Sequence, residues 1–195
     1  MRVIAGVFRG RILNTPPGHT TRPITDRVKE TLFNILGHRL AQPGELPGFD
    51  VLDVFAGSGS LGIEAVSRGA RTCIFVERDQ QALRSLRDNL QRLHLGDSCT
   101  ILTDNAWTMR PPQTADGFGL IFVDPPYQAA ANPLRVMELL ERLAPSLAPD
   151  GLLVFRQSTR SVAVPVEELR GLQLVDERVF RYMRLMLLAR RVEGD

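Results

Sequence analysis

Four consecutive residues, Asp124-Pro125-Pro126-Tyr127, carry most of the chemistry this chain offers. They follow the apolar run Leu120-Ile121-Phe122-Val123, so they stand where a buried strand runs out into a loop. Proline fixes φ and has no N–H, so two in succession leave a rigid backbone that can only accept hydrogen bonds. The Asp124 carboxylate adds a further acceptor and Tyr127 a flat ring. Together they suit a planar group bearing an NH2. The competing explanation is a stiff strand-to-helix turn, because proline is common in loops.

A second constellation is Gly57-x-Gly59-x-x-Gly62, with an acid twenty residues on at Glu77. It follows the apolar run Val51-Leu52-Asp53-Val54-Phe55 and opens a helical stretch, which is the setting of a dinucleotide fingerprint. The glycines allow close backbone approach to a ligand, and a carboxylate at Glu77 can accept from both hydroxyls of a ribose. NAD and S-adenosylmethionine both offer that ribose. Asp53, inside the strand, disfavours a pyrophosphate and suits the ammonium of a methionine moiety. Asp104-Asn105-Ala106, after a third apolar run, can meet an adenine amino edge. The expected cofactor contacts are therefore Asp53, Phe55, Ala56, Gly57, Ser58, Gly59, Glu77, Arg78, Asp104, Asn105 and Ala106. Structural roles compete with three of these. Asp53 could cap the loop, Asp104 a turn, and Glu77 the next helix, although Asp79 is better placed for that.

These residues need a scaffold of alternating elements. Strands are expected over 51–55, 72–76, 100–102, 119–123 and 152–155, and helices over 61–68, 79–93 and 134–147. The second of these helices carries Leu83, Leu86, Leu90 and Leu93 on one face. Pro149-Asp150-Gly151 reads as a turn, and 172–179 with 185–189 as a terminal antiparallel pair. Before this body, residues 2–15 read as a hairpin whose link, Gly6 to Gly10, holds Phe8 and Arg9 at an exposed tip. A helix follows, with Val28, Leu32, Ile35 and Leu36 at helical spacing. Strand–helix alternation implies an α/β fold, a mostly parallel sheet with helices on both faces. Ligands in such sheets bind beyond the carboxyl ends of the strands, where the glycine loop, Glu77 and Asp124 to Tyr127 all fall.

Composition narrows the setting. At 195 residues with 44% hydrophobic content, the chain is one ordinary domain with a real core. No apolar run approaches the roughly 20 residues of a membrane helix, and the first residues lack a signal peptide's apolar region, so a cytoplasmic protein is expected. Cys73 and Cys99 lie in or beside apolar runs and read as reduced core residues. The three histidines are scattered, and no metal site is expected. The formal charge of +2 is uneven. Residues 1–29 hold Arg2, Arg9, Arg11, Arg22, Arg27 and Lys29 against Asp26 alone, and the remainder is net acidic. A basic arm on an acidic body points to a polyanionic partner, or to an ordinary solvated surface.

The segment Val51 to Gly59 resembles motif I of class I S-adenosylmethionine-dependent methyltransferases. Asp124-Pro125-Pro126-Tyr127 is similar to their motif IV, which marks methylation of exocyclic or amide nitrogens. Arg2-Val3-Ile4-Ala5-Gly6, Arg9-Gly10-Arg11-x-Leu13 and Arg22-Pro23-x-Thr25-Asp26-Arg27-Val28-Lys29-Glu30 resemble the RsmD-type bacterial enzymes, which methylate guanine N2 in 16S ribosomal RNA. The resemblance runs from residue 2 to about 155. It implies a Rossmann-like methyltransferase domain over 41–195 and an RNA-contacting hairpin and helix over 1–40, with S-adenosylmethionine as cofactor. It also implies 16S rRNA in an assembling small subunit as partner; a monomer is the default. Arg9, Arg11, Arg22, Thr25, Arg27 and Lys29 are the expected RNA contacts. In the implied mechanism the Asp124 carboxylate and the Pro125 carbonyl accept from the guanine NH2, with Pro126 stiffening the turn and Tyr127 stacking on the base. Two stretches depart from the family: Phe155-Arg156-Gln157-Ser158, where an acid and a histidine are usual, and Phe180-Arg181-Tyr182-Met183, in place of Tyr-Gly. DNA adenine-N6 and protein glutamine-N5 methyltransferases share motif IV and stay open as alternatives. So do an NAD-dependent oxidoreductase and a catalytically inactive RNA-binding protein.

Overall fold

The computed structural model describes residues 1–16, 24–40, 46, 48–126 and 131–191. Among the described residues there are seven strands, paired in parallel except for the antiparallel C-terminal ones. The chain divides into two compact units, Met1–Ala106 and Trp107–Asp195.

In the first unit, α1 spans Asp26–Leu40, β1 Asp50–Val54, α2 Ser60–Ser67, β2 Thr72–Glu77, α3 Gln80–Arg92 and β3 Cys99–Thr103. β1 pairs with β2 and β2 with β3, both in parallel. β1 is buried at all five positions, which explains an apolar run with no alternation. Asp79 caps α3, accepting from the N–H groups of Gln81 and Ala82. That leaves Glu77 available for other work. α2 lies close against β2: a side chain at Gly62 would stand 2.4 Å from the Phe75 ring and 2.6 Å from the Cys73 sulfur.

The N-terminal residues belong to this unit. The expected hairpin is reduced to a single antiparallel bridge, Arg2 with Ile12, supported by hydrogen bonds from Val3 N–H to the Arg11 carbonyl and from Gly10 N–H to the Val3 carbonyl. Its link is not a free tip. The Val7 N–H donates to the Ser67 carbonyl and the Phe8 N–H to the Ser67 hydroxyl, which clamps the link to the end of α2. Gly6, at φ +76°, approaches so closely that a Cβ would sit 1.7 Å from the Ser67 carbonyl oxygen, so only glycine fits there.

In the second unit, β4 spans Phe118–Val123, α4 Pro133–Leu143, β5 Leu147–Ser158, β6 Leu172–Phe180 and β7 Met183–Arg190. β4 and β5 are parallel; β5–β7 and β7–β6 are antiparallel. Asn132 caps α4 by accepting from the Arg135 N–H, and Pro133 takes the first helical position, where its missing N–H costs nothing. The helix expected as far as Leu147 ends at Leu143. A 3-10 turn covers Ala144–Ser146, where Pro145 cannot continue the α-helical ladder, and Leu147 pairs with Phe118. The expected Pro149–Gly151 turn is an irregular stretch inside β5, at the register shift between Phe118 and Leu120.

Candidate active site

The loop after β1 is built from backbone. Phe55 is at φ +64°, an uncommon conformation for a side chain of its size and the first sign of strain at this strand end. The three glycines then differ in task. Gly62 lets α2 pack on β2, and at Gly59 a Cβ would meet Leu86 at 2.5 Å. At Gly57 a Cβ would meet nothing within 4 Å, so the space above that residue is open. The Gly57 N–H donates to Glu77 Oε2 at 2.9 Å. Glu77 Oε1 accepts from the Arg78 and Asp79 N–H groups at 2.7 and 2.8 Å. The carboxylate at the end of β2 is thus oriented by three backbone donors beside an open loop, half-buried and with lone pairs to spare.

Asp53 takes the loop-capping alternative. It is 2% exposed, and its Oδ2 accepts from the Gly62 N–H at 2.9 Å, inside the first turn of α2. Asp104 closes its own turn by accepting from the Asn105 N–H at 2.6 Å, and its side chain is exposed; Ala106 is buried. Arg78 is exposed and contributes its backbone N–H. Ala56 and Ser58 are buried in the loop, where the Ser58 carbonyl accepts from Asn89 Nδ2 at 3.0 Å. Asn89 was not singled out from sequence. On α3, 1% exposed, it also accepts from the Asn14 N–H at 2.7 Å and donates to the Asn14 carbonyl at 3.0 Å. One amide therefore ties the N-terminal segment to the loop after β1.

The expected RNA contacts separate into groups. Arg9, Arg11 and Arg27 are exposed. Thr25 receives the Val28 N–H at 3.4 Å and begins α1. Arg22 lies outside the described residues. Lys29 is a correction: it is fully buried, and its ammonium reaches Glu64 Oε2 at 3.2 Å and the Arg2 carbonyl at 2.7 Å. Burial lowers its pKa, and Glu64 opposes that shift. Glu64 accepts also from Arg68 Nε at 2.8 Å and from the Ile4 and Ala5 N–H groups. The one lysine of the chain thus balances a buried acid that pins the arm. An acid within the apolar stretch of α2 was the signal, since a carboxylate is almost never fully buried unpaired.

In the second unit, Val123 of β4 is in register with Phe155 of β5, so the next residues, Asp124 and Arg156, stand side by side. Arg156 Nε donates to Asp124 Oδ1 at 2.5 Å; the side chains are 6% and 21% exposed. Burial pushes the Asp124 carboxyl above its ordinary value, and the guanidinium pulls it back. Pro125 is buried and Pro126 exposed, while Tyr127 lies outside the described residues. Arg156 is the partner of Asp124 that the sequence reading passed over. It stood in a stretch noted only as a departure, and its partner is 32 positions away. The arrangement is an oriented carboxylate in a partly dry setting, able to accept from a donor while charge develops on it.

The chain matches the family model described as "Conserved hypothetical protein 95" over residues 1–188. The chain belongs to this family. It is 39% identical over 170 residues to "Putative rRNA methyltransferase YlbH" of Bacillus subtilis, covering 85% of this chain and 86% of that one. It is 40% identical over 129 residues to "Ribosomal RNA small subunit methyltransferase D" of Haemophilus influenzae, a match spanning 65% of this chain and 64%, just under two thirds, of that protein. Among solved structures, "Putative methyltransferase yhhF" from Escherichia coli superposes with a TM-score of 0.75 at 32% identity, over 97% of both chains. The fold expected from the motifs, that of a class I methyltransferase, is the one observed.

Proposed function

We propose that this protein transfers a methyl group from S-adenosylmethionine to the exocyclic N2 of a guanine in 16S ribosomal RNA of an assembling small subunit. The observation that carries the reading is the Asp124–Arg156 pair beside Pro125 and Pro126, an edge that accepts hydrogen bonds and is held in place by a buried cation. The names of the relatives, rRNA methyltransferases, support methyl transfer to ribosomal RNA.

The first unit fits the cofactor by its donor set: an open Gly57, an oriented Glu77 for a ribose diol, and Asp104 with Asn105 for an adenine edge. When bound, S-adenosylmethionine supplies an electrophilic methyl on a sulfonium. A guanine N2 is a poor nucleophile because its lone pair conjugates with the ring. Asp124 and the Pro125 carbonyl accept from the NH2, which orients that lone pair and stabilises the positive charge developing on nitrogen. Arg156 opposes the upward shift that burial imposes on the Asp124 carboxyl and holds it in one rotamer, which favours a role as acceptor first and as proton sink only after transfer. Positioning of both reactants contributes several kcal/mol. Exposed Arg9, Arg11 and Arg27 offer phosphate contacts that offset the cost, about a few kcal/mol, of unstacking the target base.

Radiolabelled methyl transfer to isolated small subunits, protein-free 16S RNA, duplex DNA and a protein digest tests the reading. Label is expected in small-subunit RNA, as N2-methylguanosine after nuclease digestion. Label confined to DNA adenine or to protein glutamine would overturn it in favour of the enzymes sharing this motif.

A further inference from the structure

The second unit carries a cluster that the reaction above does not use. The Arg160 guanidinium lies 5.4 Å and that of Arg181 4.9 Å from the centre of the Tyr182 ring. Both arginines are exposed, and neither meets a carboxylate among the described residues. Neighbouring arginines differ: Arg178 faces Asp176, Arg184 faces Glu177, and Arg156 faces Asp124. The pair on Tyr182 is also held in place. The Arg160 N–H donates to the Ser158 hydroxyl at 3.1 Å. The Thr159 N–H donates to the Tyr182 carbonyl and the Thr159 hydroxyl to the Arg181 carbonyl, both at 3.3 Å. The segment leaving β5 and the turn between β6 and β7 are therefore fastened together.

Two like charges gathered on one ring repel each other, and an exposed cation–π contact returns only about 0.5–1 kcal/mol. An anion between the guanidinium groups would relieve the repulsion, and their planar forks match phosphate oxygens in a way that lysine does not. The position within the sheet indicates which anion. Ser158 pairs with Met183 at the carboxyl end of β5, two residues past Arg156, a separation of about 7 Å along the strand. Arg156 holds Asp124, so the cluster lies at the same end of the β4–β5 pair as the proposed base-holding carboxylate. Guanidinium and tyrosine planes are also the surfaces on which unpaired bases stack.

We infer that Arg160, Tyr182 and Arg181 form a contact surface for the single-stranded RNA flanking the target nucleotide, with the two guanidinium groups on its phosphates. This rests on the proposed RNA reaction. Its test is the double variant Arg160→Gln/Arg181→Gln, compared with wild type on isolated small subunits and on protein-free 16S RNA. Failure of wild type to methylate either substrate would remove the parent reading before the variant is consulted. With wild type active, the variant is expected to raise the KM for RNA on the order of tenfold. It should also flatten the salt dependence of binding by about 1.4, at about 0.7 per single-strand phosphate contact. kcat at saturating RNA and cofactor affinity should stay unchanged. Arg160→Lys/Arg181→Lys should restore the salt slope, which a merely structural role would not. Unchanged KM and slope in the Gln variant would overturn the inference. So would a loss seen only on protein-bearing subunits with affinity for naked RNA intact, which would assign the surface to an acidic protein.

Discussion

Glu77 and Asp124 occupy equivalent places, each at the carboxyl end of a parallel strand, yet they are held in opposite ways. Glu77 is oriented by three backbone N–H groups from Gly57, Arg78 and Asp79. Asp124 is oriented by a single side chain, Arg156, from the neighbouring strand. Backbone donors fix an acid wherever the loop forms, and the loop forms because of its glycines. A guanidinium fixes an acid only if another strand arrives in register. The first design suits a site that binds a constant ligand. The second adds charge control, because the partner cation sets how readily the carboxyl ionises.

The comparison can be broken most forcefully at Arg156. Arg156→Met leaves a partly buried carboxylate without its cation, and unfolding by denaturant should show a loss of about 3 kcal/mol at neutral pH. That is the low end for a broken buried pair, because a fifth of the Asp124 side chain reaches water. The loss should be small at acid pH, where Asp124 is protonated in both states, and should grow as pH rises. The same variant should shift catalysis. In the proposed reaction activity needs the ionised carboxylate, and burial already lifts its pKa while Arg156 restrains it. Without that restraint the acidic limb of kcat/KM should move to higher pH. A limb that stays put would mean that another group titrates there.

Glu77→Ala should act on the other side of the comparison. Loss of charge-assisted bonds to a ribose diol should weaken S-adenosylmethionine by about 1.5–3 kcal/mol, tenfold or more, as read by calorimetry. An unchanged affinity would reduce Glu77 to a brace for the loop. The smallest expected effect separates two glycines. Gly57→Ala places its methyl in open space, so beyond a backbone cost of about 1–2 kcal/mol at φ +57° it should act on cofactor affinity. Gly62→Ala drives a methyl into Phe75 and Cys73, so it should cost about 1–3 kcal/mol of stability and act on affinity only through folding. The same response from both would erase the distinction.

This difference in support also explains what could be read from the sequence. The glycine loop, β1, β2 and Glu77 are local: strand, turn and helix follow one another within about thirty residues, and their roles follow from that order. Asp124 was legible as an acceptor because its prolines are adjacent. Its cation was not, because Arg156 acquires meaning only when β5 pairs with β4. Lys29 was misplaced for a related reason. Counted by charge it belongs to the basic arm, but the helical face that buries it is set by Glu64, on another helix. The helix expected over 134–147 runs past Pro145, a break present in the sequence, and the pairing of Leu147 with Phe118 marks where the strand begins instead. Asn89 shows the limit of periodicity, since a polar residue among leucines on α3 reveals its purpose only when Asn14 and Ser58 are brought to it.

The central claim is that Asp124 serves the methyl acceptor and not the methyl donor. Asp124→Ala, assayed for methyl transfer to small subunits and titrated with S-adenosylmethionine by calorimetry, tests it most directly. Turnover should fall by about a hundredfold to a thousandfold, with cofactor affinity within a few-fold of wild type. A collapse of cofactor affinity in parallel with turnover would make Asp124 a cofactor ligand and contradict the account.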